Sequence, residues 1–573
     1  MREKRLNTAL NYAFGLLIIG LIYTQGCRFF YYSRLSKNNA IRIIPIDGPR
    51  GRIFDRNGIP MVTSRLSFDV AVVYQELKDK EKLMELLNEV LGLSRDSLKR
   101  SLEKARAKPY APVTIVEDVD KEKAIILEEA SFDTRGLVIE TRSKRHYIYN
   151  EAGCHIFGYL SEITEEELEA LRDYGYHIKD LVGRSGLEKY YNTYLAGVDG
   201  GTQIEVDNKG RQTRVLGLKE PSNGKDLYLT IDISLQLVCD KLLGEHSGAI
   251  IVMNPEDGEV LALASHPTFD PNIFIRPDAS SERLKLLRDK ARHPLLNRAI
   301  SGLYAPGSVF KVVIASGALE AKKITANTHF FCGGSYSLGN AKFDCWKEEG
   351  HASQNVVEGL MNSCNVFFYQ TGRAMGVDNI ETFTKSFGFG KPTGIDLPDE
   401  SQGIVPGRLW KRLYRRDNWY EGETVNYAIG QGYLSVTPIQ ILQMMAVMAN
   451  KGSLIRPYLV GRIESTDISN VKRKTAGLKS DVIQKVREGL SRVVNDENGT
   501  GRRAKVEGVS IAGKTGTAQN PQGRTHAWFS GFAKFNDPKI CLVVFLEHGG
   551  KGGLEPAAIA KDIFEEVRDK GYI

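Results

Sequence analysis

The chain has 573 residues, 42% of them hydrophobic, and a formal net charge of +7. That length accommodates two or three domains with sizeable cores. The modest charge, with no basic block interleaved with aromatics, argues against a nucleic-acid partner, and no repeat or low-complexity tract is visible.

Met1 to Asn7 carries Arg2, Lys4 and Arg5 against Glu3, and Leu10 to Tyr23 is apolar except for Asn11. With its flanks this run matches one membrane crossing of roughly 20 residues. Positive charge ahead of it puts the N-terminus in the cytoplasm and the rest of the chain outside. The rival reading, a cleaved signal peptide, lacks a clear Ala-x-Ala site. Cys27 after Thr24-Gln25-Gly26 loosely suggests lipoprotein processing. The favoured reading of residues 1–30 is a cytoplasmic tail and an uncleaved single-pass anchor in the cytoplasmic membrane.

Residues 31–245 read as a mixed, non-catalytic region. Pro45 to Ser64 is turn-rich and charged, and helical patterns cover Asp79 to Leu93 and Lys121 to Ala130. A dense segment, Gly183-Arg184-Ser185-Gly186-Leu187-Glu188, is read as ion pairs locking turns rather than as catalysis. A polar stretch, Pro221 to Asp226, precedes Leu227 to Asp232 and a helix near Leu235 to Leu243, and the domain boundary is placed there.

From 246 to 573 the pattern changes. Ala249 to Met253 and Val260 to Ala264 flank Asn254-Pro255-Glu256-Asp257-Gly258, which predicts a hairpin. Helical patterns fill the middle, including Val356 to Gly376. Strands return at Val509 to Ala512, Ala527 to Ala533 and Ile540 to Leu546, and a last helix places Ile559, Ile563 and Val567 on one face. This order predicts an α/β (α+β) domain: an antiparallel sheet built from both ends, flanked by helices, with a helical insert. Gly549 to Gly553 lacks the Gly-Lys-Ser/Thr ending of a phosphate loop and reads as a strand-to-helix turn.

Three short motifs in this region carry chemistry: Ser308-Val309-Phe310-Lys311, Ser363-Cys364-Asn365 and Lys514-Thr515-Gly516-Thr517. Ser-x-x-Lys alone is weak, since it recurs at Ser101, Ser222 and Ser469. Around Ser308, however, Pro306-Gly307 signals a helix start and Val309, Phe310, Val312, Val313 and Ile314 follow. A lysine buried in such a helix is costly unless neutral or used. A neutral lysine three residues from a serine can take its proton, making a nucleophile without histidine. The ordered trio belongs to penicillin-recognising serine acyltransferases.

Seven cysteines are present. Cys332, Cys345, His351 and Cys364 fall close together in sequence, and three thiolates with one imidazole form a complete tetrahedral zinc set. A Cys332–Cys345 disulfide with Cys364 buried is the alternative in an oxidising compartment. The residues alone leave both open.

Nearly the whole chain resembles the class B high-molecular-mass penicillin-binding proteins: anchor, pedestal of the dimerisation type with the Arg50-Gly51 and Gly183 to Gly186 segments, and transpeptidase domain. Within that class it is most similar to the elongation-type members, penicillin-binding protein 2. The finer match rests on Cys345-Trp346-Lys347 with Gly350-His351, on Ser363-Cys364-Asn365, and on Thr393-Gly394-Ile395-Asp396-Leu397-Pro398. It also rests on Ile429-Gly430-Gln431-Gly432 with Thr437-Pro438.

The resemblance implies D,D-transpeptidation of peptidoglycan stem peptides in cell-wall elongation and cell-shape maintenance, with inhibition by β-lactams. Ser308 is expected as nucleophile and Lys311 as general base. Ser363 would relay a proton, Lys514 would hold that serine, and Asn365 would bond the substrate amide. Thr515 and Thr517, flanking Gly516, would bind the substrate carboxylate, and backbone N–H groups of Ser308 and Thr517 would form the oxyanion hole. The resemblance also favours zinc: His351 and Cys364 match ligand positions in register, and Cys345 and Cys332 sit where other members have aspartates. No cofactor is needed for the acyl transfer itself. A polytopic, RodA-like membrane glycosyltransferase of the shape, elongation, division and sporulation family is the implied partner. Alternatives are a division- or sporulation-type transpeptidase, a D,D-carboxypeptidase or slow β-lactamase, and a β-lactam sensor that acylates without turnover.

Overall fold

The computed structural model describes residues 2–32, 41–110, 112–171, 176, 180–207, 212–469, 471–520 and 523–573. The N-terminal apolar run forms the helix Arg2–Ile22, continued by a wider turn at Tyr23–Cys27. Among the described residues, Lys4–Cys27 is the one helical stretch long and apolar enough to cross a membrane, and its 24 residues match the thickness of a bilayer's hydrocarbon core.

The chain divides into two compact units, the first of which includes this helix. The first comprises residues 1–51, 64–144 and 196–224. It contains an antiparallel three-stranded sheet of Ile41–Ile46, Gly200–Val206 and Gln212–Lys219. Its helices Lys80–Leu91 and Arg95–Arg106 are capped by the Asp79 and Ser94 side chains. Their apolar stripes supply Leu83, Leu87, Leu98 and Leu102 to a small core with Val70, Val72 and Leu127.

The second unit comprises residues 52–63, 145–195 and 225–573. Its centre is a five-stranded antiparallel sheet in the order Val260–His266, Gly248–Met253, Ile540–Leu546, His526–Ala533, Ile511–Ala518. The hairpin expected at the start of this region therefore pairs with the last strand of the chain. Every residue of the first three strands is buried, which explains continuous apolar runs where a half-exposed strand would alternate. One face packs on Glu555–Asp569 and Ile233–Leu243 through Leu235, Cys239, Ile563 and Phe564. The other packs on Pro438–Ala449, a wholly buried helix started by a Thr437–Gln440 capping box with proline in its first turn.

The predicted helix over Val356 to Gly376 is two helices, Val356–Met361 and Asn365–Met375. The break falls at Asn362 to Cys364, where Ser363 takes a left-handed φ of 49°. The Ile511–Ala518 strand also begins later and runs further than expected, straight through Lys514 to Thr517, and it is the sheet's edge.

The dense segment at Gly183 to Glu188 is structural. Arg184 reaches Glu167 at 2.5 Å and donates to Ser161 Oγ at 2.6 Å. Arg145 meets Glu188 at 2.7 Å with both side chains fully buried, and Tyr147 Oη lies 3.4 Å from the same carboxylate oxygen. Removing one member of such a pair strands the other in the interior. Glu188→Ala is expected to lower stability by about 3–5 kcal/mol, read as a lower urea midpoint. An unchanged midpoint would contradict a structural role for the pair.

Candidate active site

Ser308 sits in a tight turn, Gly307–Phe310, that runs directly into the helix Lys311–Glu320. Its neighbours in the turn are buried, and Ser308 is the one residue left partly open. Gly307 has a φ of 55°, and a Cβ there would collide with the carbonyl of Thr517. Its N–H donates to Gly430 O at 3.0 Å. Only glycine allows this approach, which presses the serine's turn onto the edge strand.

Four side chains converge one helical turn on. Lys311 Nζ donates to Ser363 O at 2.8 Å and Asn365 Oδ1 at 2.7 Å, and lies 3.4 Å from Ser363 Oγ. Lys514 Nζ donates to the same Ser363 Oγ at 3.0 Å and to Thr515 O at 3.0 Å. Both lysines are completely buried and Ser363 nearly so. Burial pushes the Lys311 amine down to about 8. Burial, followed by the charge of Lys311, holds Lys514 well below the ordinary lysine range. Two ammonium groups bonded to one hydroxyl in a dry site repel, and neutralising one of them relieves the cost. The result is a lysine base poised near neutral pH, the range in which proton transfer is efficient.

The structure thus brings Lys311, Ser363, Asn365 and Lys514 together, with Ser308 one helical turn before Lys311. The two threonines differ. Thr517 is exposed and its Oγ1 accepts from Gly552 N at 3.2 Å, whereas Thr515 is buried and donates to Thr500 Oγ1 at 3.1 Å. Ser308 lies in a helix's first turn, where N–H donors lack intrahelical partners, and Thr517 lies on the sheet's edge strand.

Beneath Ser363 lies a second cluster. Cys332 ends the strand Phe330–Cys332, Cys345 follows Ala341–Asp344, His351 precedes Ala352–Gln354, and Cys364 is the N-cap of Asn365–Met375. Gly350, at φ 82°, lets its loop close on the Cys332 carbonyl, and His351 N donates to that carbonyl at 3.0 Å. The four ligand atoms lie within 4.8 Å of one another. His351 Nδ1 is 3.5 Å from Cys345 Sγ and 3.7 Å from Cys332 Sγ. A tetrahedral zinc with Zn–S of about 2.3 Å and Zn–N of about 2.05 Å would set sulfur and nitrogen about 3.6 Å apart, so the donor set fits such an ion. The S–H of Cys364 and the ring of His351 lower the Cys345 thiol, so that a thiolate is favoured there. All seven cysteine thiols are free in this structure.

Trp346 links the two clusters. Its Nε1–H donates to Asn362 O at 3.0 Å and Ser363 O at 3.2 Å, clamping the left-handed turn, and its ring meets His351 edge-on at 5.1 Å. Sequence reasoning used Trp346 only as a family mark. Its place beside Cys345 was the available signal. Thr500 and Gly430 were likewise without an assigned role.

Residues 248–565 match the family described as the penicillin binding protein transpeptidase domain, and residues 45–229 match the penicillin-binding protein dimerisation domain. Peptidoglycan D,D-transpeptidase MrdA of Salmonella typhimurium is 34% identical, over 97% of this chain and 94% of that protein. The penicillin-binding protein PBP2 of Helicobacter pylori, solved in complex with MreC, is 30% identical with a TM-score of 0.82, over 93% of this chain and 99% of that one. A chain from a structure on the coordination of polymerization and crosslinking by a peptidoglycan synthase complex is 30% identical with a TM-score of 0.75, over 99% and 98%.

Trp346→Phe keeps an aromatic ring but removes the N–H that holds the Ser363 turn. Losing about 1 kcal/mol of positioning is expected to slow penicillin acylation about fivefold, measured by stopped-flow with a chromogenic β-lactam, with little change in stability. An unchanged rate would mean the clamp does not position Ser363.

Proposed function

The chain belongs to the class B penicillin-binding proteins of the PBP2/MrdA type, elongation-type peptidoglycan D,D-transpeptidases, and from that premise we propose how its own residues divide the work. The observation that carries the reading is the meeting of Lys311 and Lys514 on Ser363, one helical turn from Ser308. Neutral Lys311 takes the Ser308 hydroxyl proton as the oxygen attacks the carbonyl of the penultimate D-Ala. The N–H groups of Ser308 and Thr517 receive the oxyanion. Ser363, held by Lys514, passes a proton to the departing D-Ala amine and is replenished by the proton that Lys311 took from Ser308, leaving an ester on Ser308. An amine of a neighbouring stem attacks that ester, gives up its proton along the same path, and closes the cross-link. Asn365 holds the substrate amide, and the exposed Thr517 with Lys514 receives the terminal carboxylate. Thr515 supports that end of the strand through Thr500.

Cys332, Cys345, His351 and Cys364 are proposed to hold one zinc ion, supported by the tetrahedral spacing of their donor atoms. A bound zinc supplies rigidity and no step of the acyl transfer. It would brace the loop that ends in Ser363 and Asn365 from both flanks, through Cys345 and Cys364.

The transpeptidase domain is taken to begin near residue 246, supported by the family match from 248. The N-terminal helix anchors the chain, and its leading basic residues favour a cytoplasmic N-terminus with the catalytic region on the other side. A RodA-like glycan polymerase in the membrane and a scaffold of the MreC kind are proposed partners, supported by the assemblies in which the two structural neighbours were solved.

Native mass spectrometry of the wild type and Ser308→Ala with a penicillin tests the core of this reading. A covalent adduct is expected in the wild type alone, with one zinc per folded chain in both. An adduct in Ser308→Ala would overturn the nucleophile, and metal-free protein with a Cys332–Cys345 disulfide would overturn the zinc.

A further inference from the structure

The helix Arg408–Arg415 is turned inside out. Its one buried residue is a lysine, Lys411, while Leu409, Leu413 and Tyr414 are 66%, 64% and 72% exposed. A surface helix normally does the reverse. The inversion is deliberately supported. Lys411 Nζ meets Glu423 at 2.6 Å and Asp417 at 3.0 Å, donates to Asn418 O at 2.6 Å, and sits 4.5 Å from the Tyr420 ring centre. A buried cation so fully paired fixes which way the helix faces, and an exposed apolar patch rimmed by charge marks a binding surface.

The outward residues form an ordered platform. Trp410 stacks on Tyr414 at 5.7 Å and 29°, and lies 5.3 Å from Tyr433. The Arg415 guanidinium covers the Tyr433 ring at 5.4 Å. Arg412 and Arg416 are exposed beside them. The platform is tied to the catalytic turn, because Tyr433 follows Gly430, whose carbonyl accepts from Gly307 N at 3.0 Å, next to Ser308.

We propose that Trp410, Tyr414, Tyr433 and Arg415 form a subsite for the glycan–peptide strand itself, distinct from the pocket that takes the D-Ala end. The chemistry of the surface selects this occupant. Pyranose rings present flat C–H faces that stack on aromatic rings, and stem peptides carry carboxylates that pair with guanidinium groups. The strand is anionic and the helix is cationic, so the charges are complementary. Tyr433, which packs against Trp410 and Arg415, belongs to the loop whose Gly430 seats the nucleophile's turn. The subsite would hold sugar and peptide carboxylate while the stem's end enters the pocket. This inference rests on the transpeptidase reading.

The test uses the full chain in detergent with its glycan polymerase partner. It compares three readouts: cross-linking of uncross-linked polymeric strands, cross-linking of a sugar-free stem pentapeptide, and penicillin acylation. In Tyr414→Ala/Arg415→Ala the KM for polymeric strands is expected to rise at least about tenfold relative to that for the free pentapeptide, with kcat retained. Tyr414→Phe, which keeps the ring, is expected to restore the wild-type KM. An unchanged KM ratio in the double variant overturns the subsite. So does Leu409→Ser/Leu413→Ser losing a partner protein while Tyr414→Ala/Arg415→Ala handles strands normally, since the patch is then a protein interface. If the wild type forms no penicillin adduct, the transpeptidase reading fails instead. Parallel loss of all three readouts in both the double variant and Tyr414→Phe would show damage to the catalytic loop and would also overturn the proposal.

Discussion

Two lysine amines buried on one serine hydroxyl set the terms for this molecule. Charged and unsolvated, Lys311 and Lys514 could not both sit at Ser363; the fold holds them there and the proton leaves. The lowered Lys311 amine is thus a product of architecture. The helix Lys311–Glu320 must be buried on all sides, the edge strand must run past it closely enough for Gly307 to meet Thr517, and Ser363 must point into the gap between them.

That last demand explains the most unusual local geometry. A continuous helix over 356–375 would carry Ser363 as an ordinary helical side chain. Instead the chain breaks at Asn362 to Cys364, with Ser363 strained at positive φ and its carbonyl accepting from both Lys311 and Trp346. Strain of this kind costs of order 1–3 kcal/mol and persists only where the surroundings impose it. Those surroundings are the Trp346 clamp on one side and the cysteine–histidine cluster on the other. The Cys364 sulfur, next to Ser363, accepts from Phe367 N and caps the following helix. The catalytic turn and the donor cluster are therefore one piece of structure.

Much of this was legible in the chain. The anchor, the hairpin at 249–264, the last two strands and the final helix are written as apolar runs or stripes of the right period. The trio of motifs pointed to the family whose transpeptidase domain the chain carries, and the structure brings Lys311, Ser363, Asn365 and Lys514 together. The break at Ser363 was not legible: Val356 to Gly376 keeps helical spacing on both sides, and the break is imposed by tertiary bonds to Lys311, Lys514 and Trp346. The edge strand was cut short because Gly513 to Ala518 holds no apolar run; its burial comes from the helices laid against it. Thr515 and Thr517 look equivalent in sequence, yet the first is turned to Thr500 and the second to the open side. The inverted helix at 408–415 also escaped notice, since its period is ordinary and only its orientation is not.

The most direct test of the account is the pH dependence of the second-order rate of β-lactam acylation across the alkaline range. With Lys311 lowered to about 8 by burial, the base is neutral above that value and protonated below it. The rate should rise with pH through an inflexion near about 8 and then level off. A rate that is flat through that region, or that climbs only near the ordinary lysine value of about 10.4, would mean that Lys311 does not act as the base.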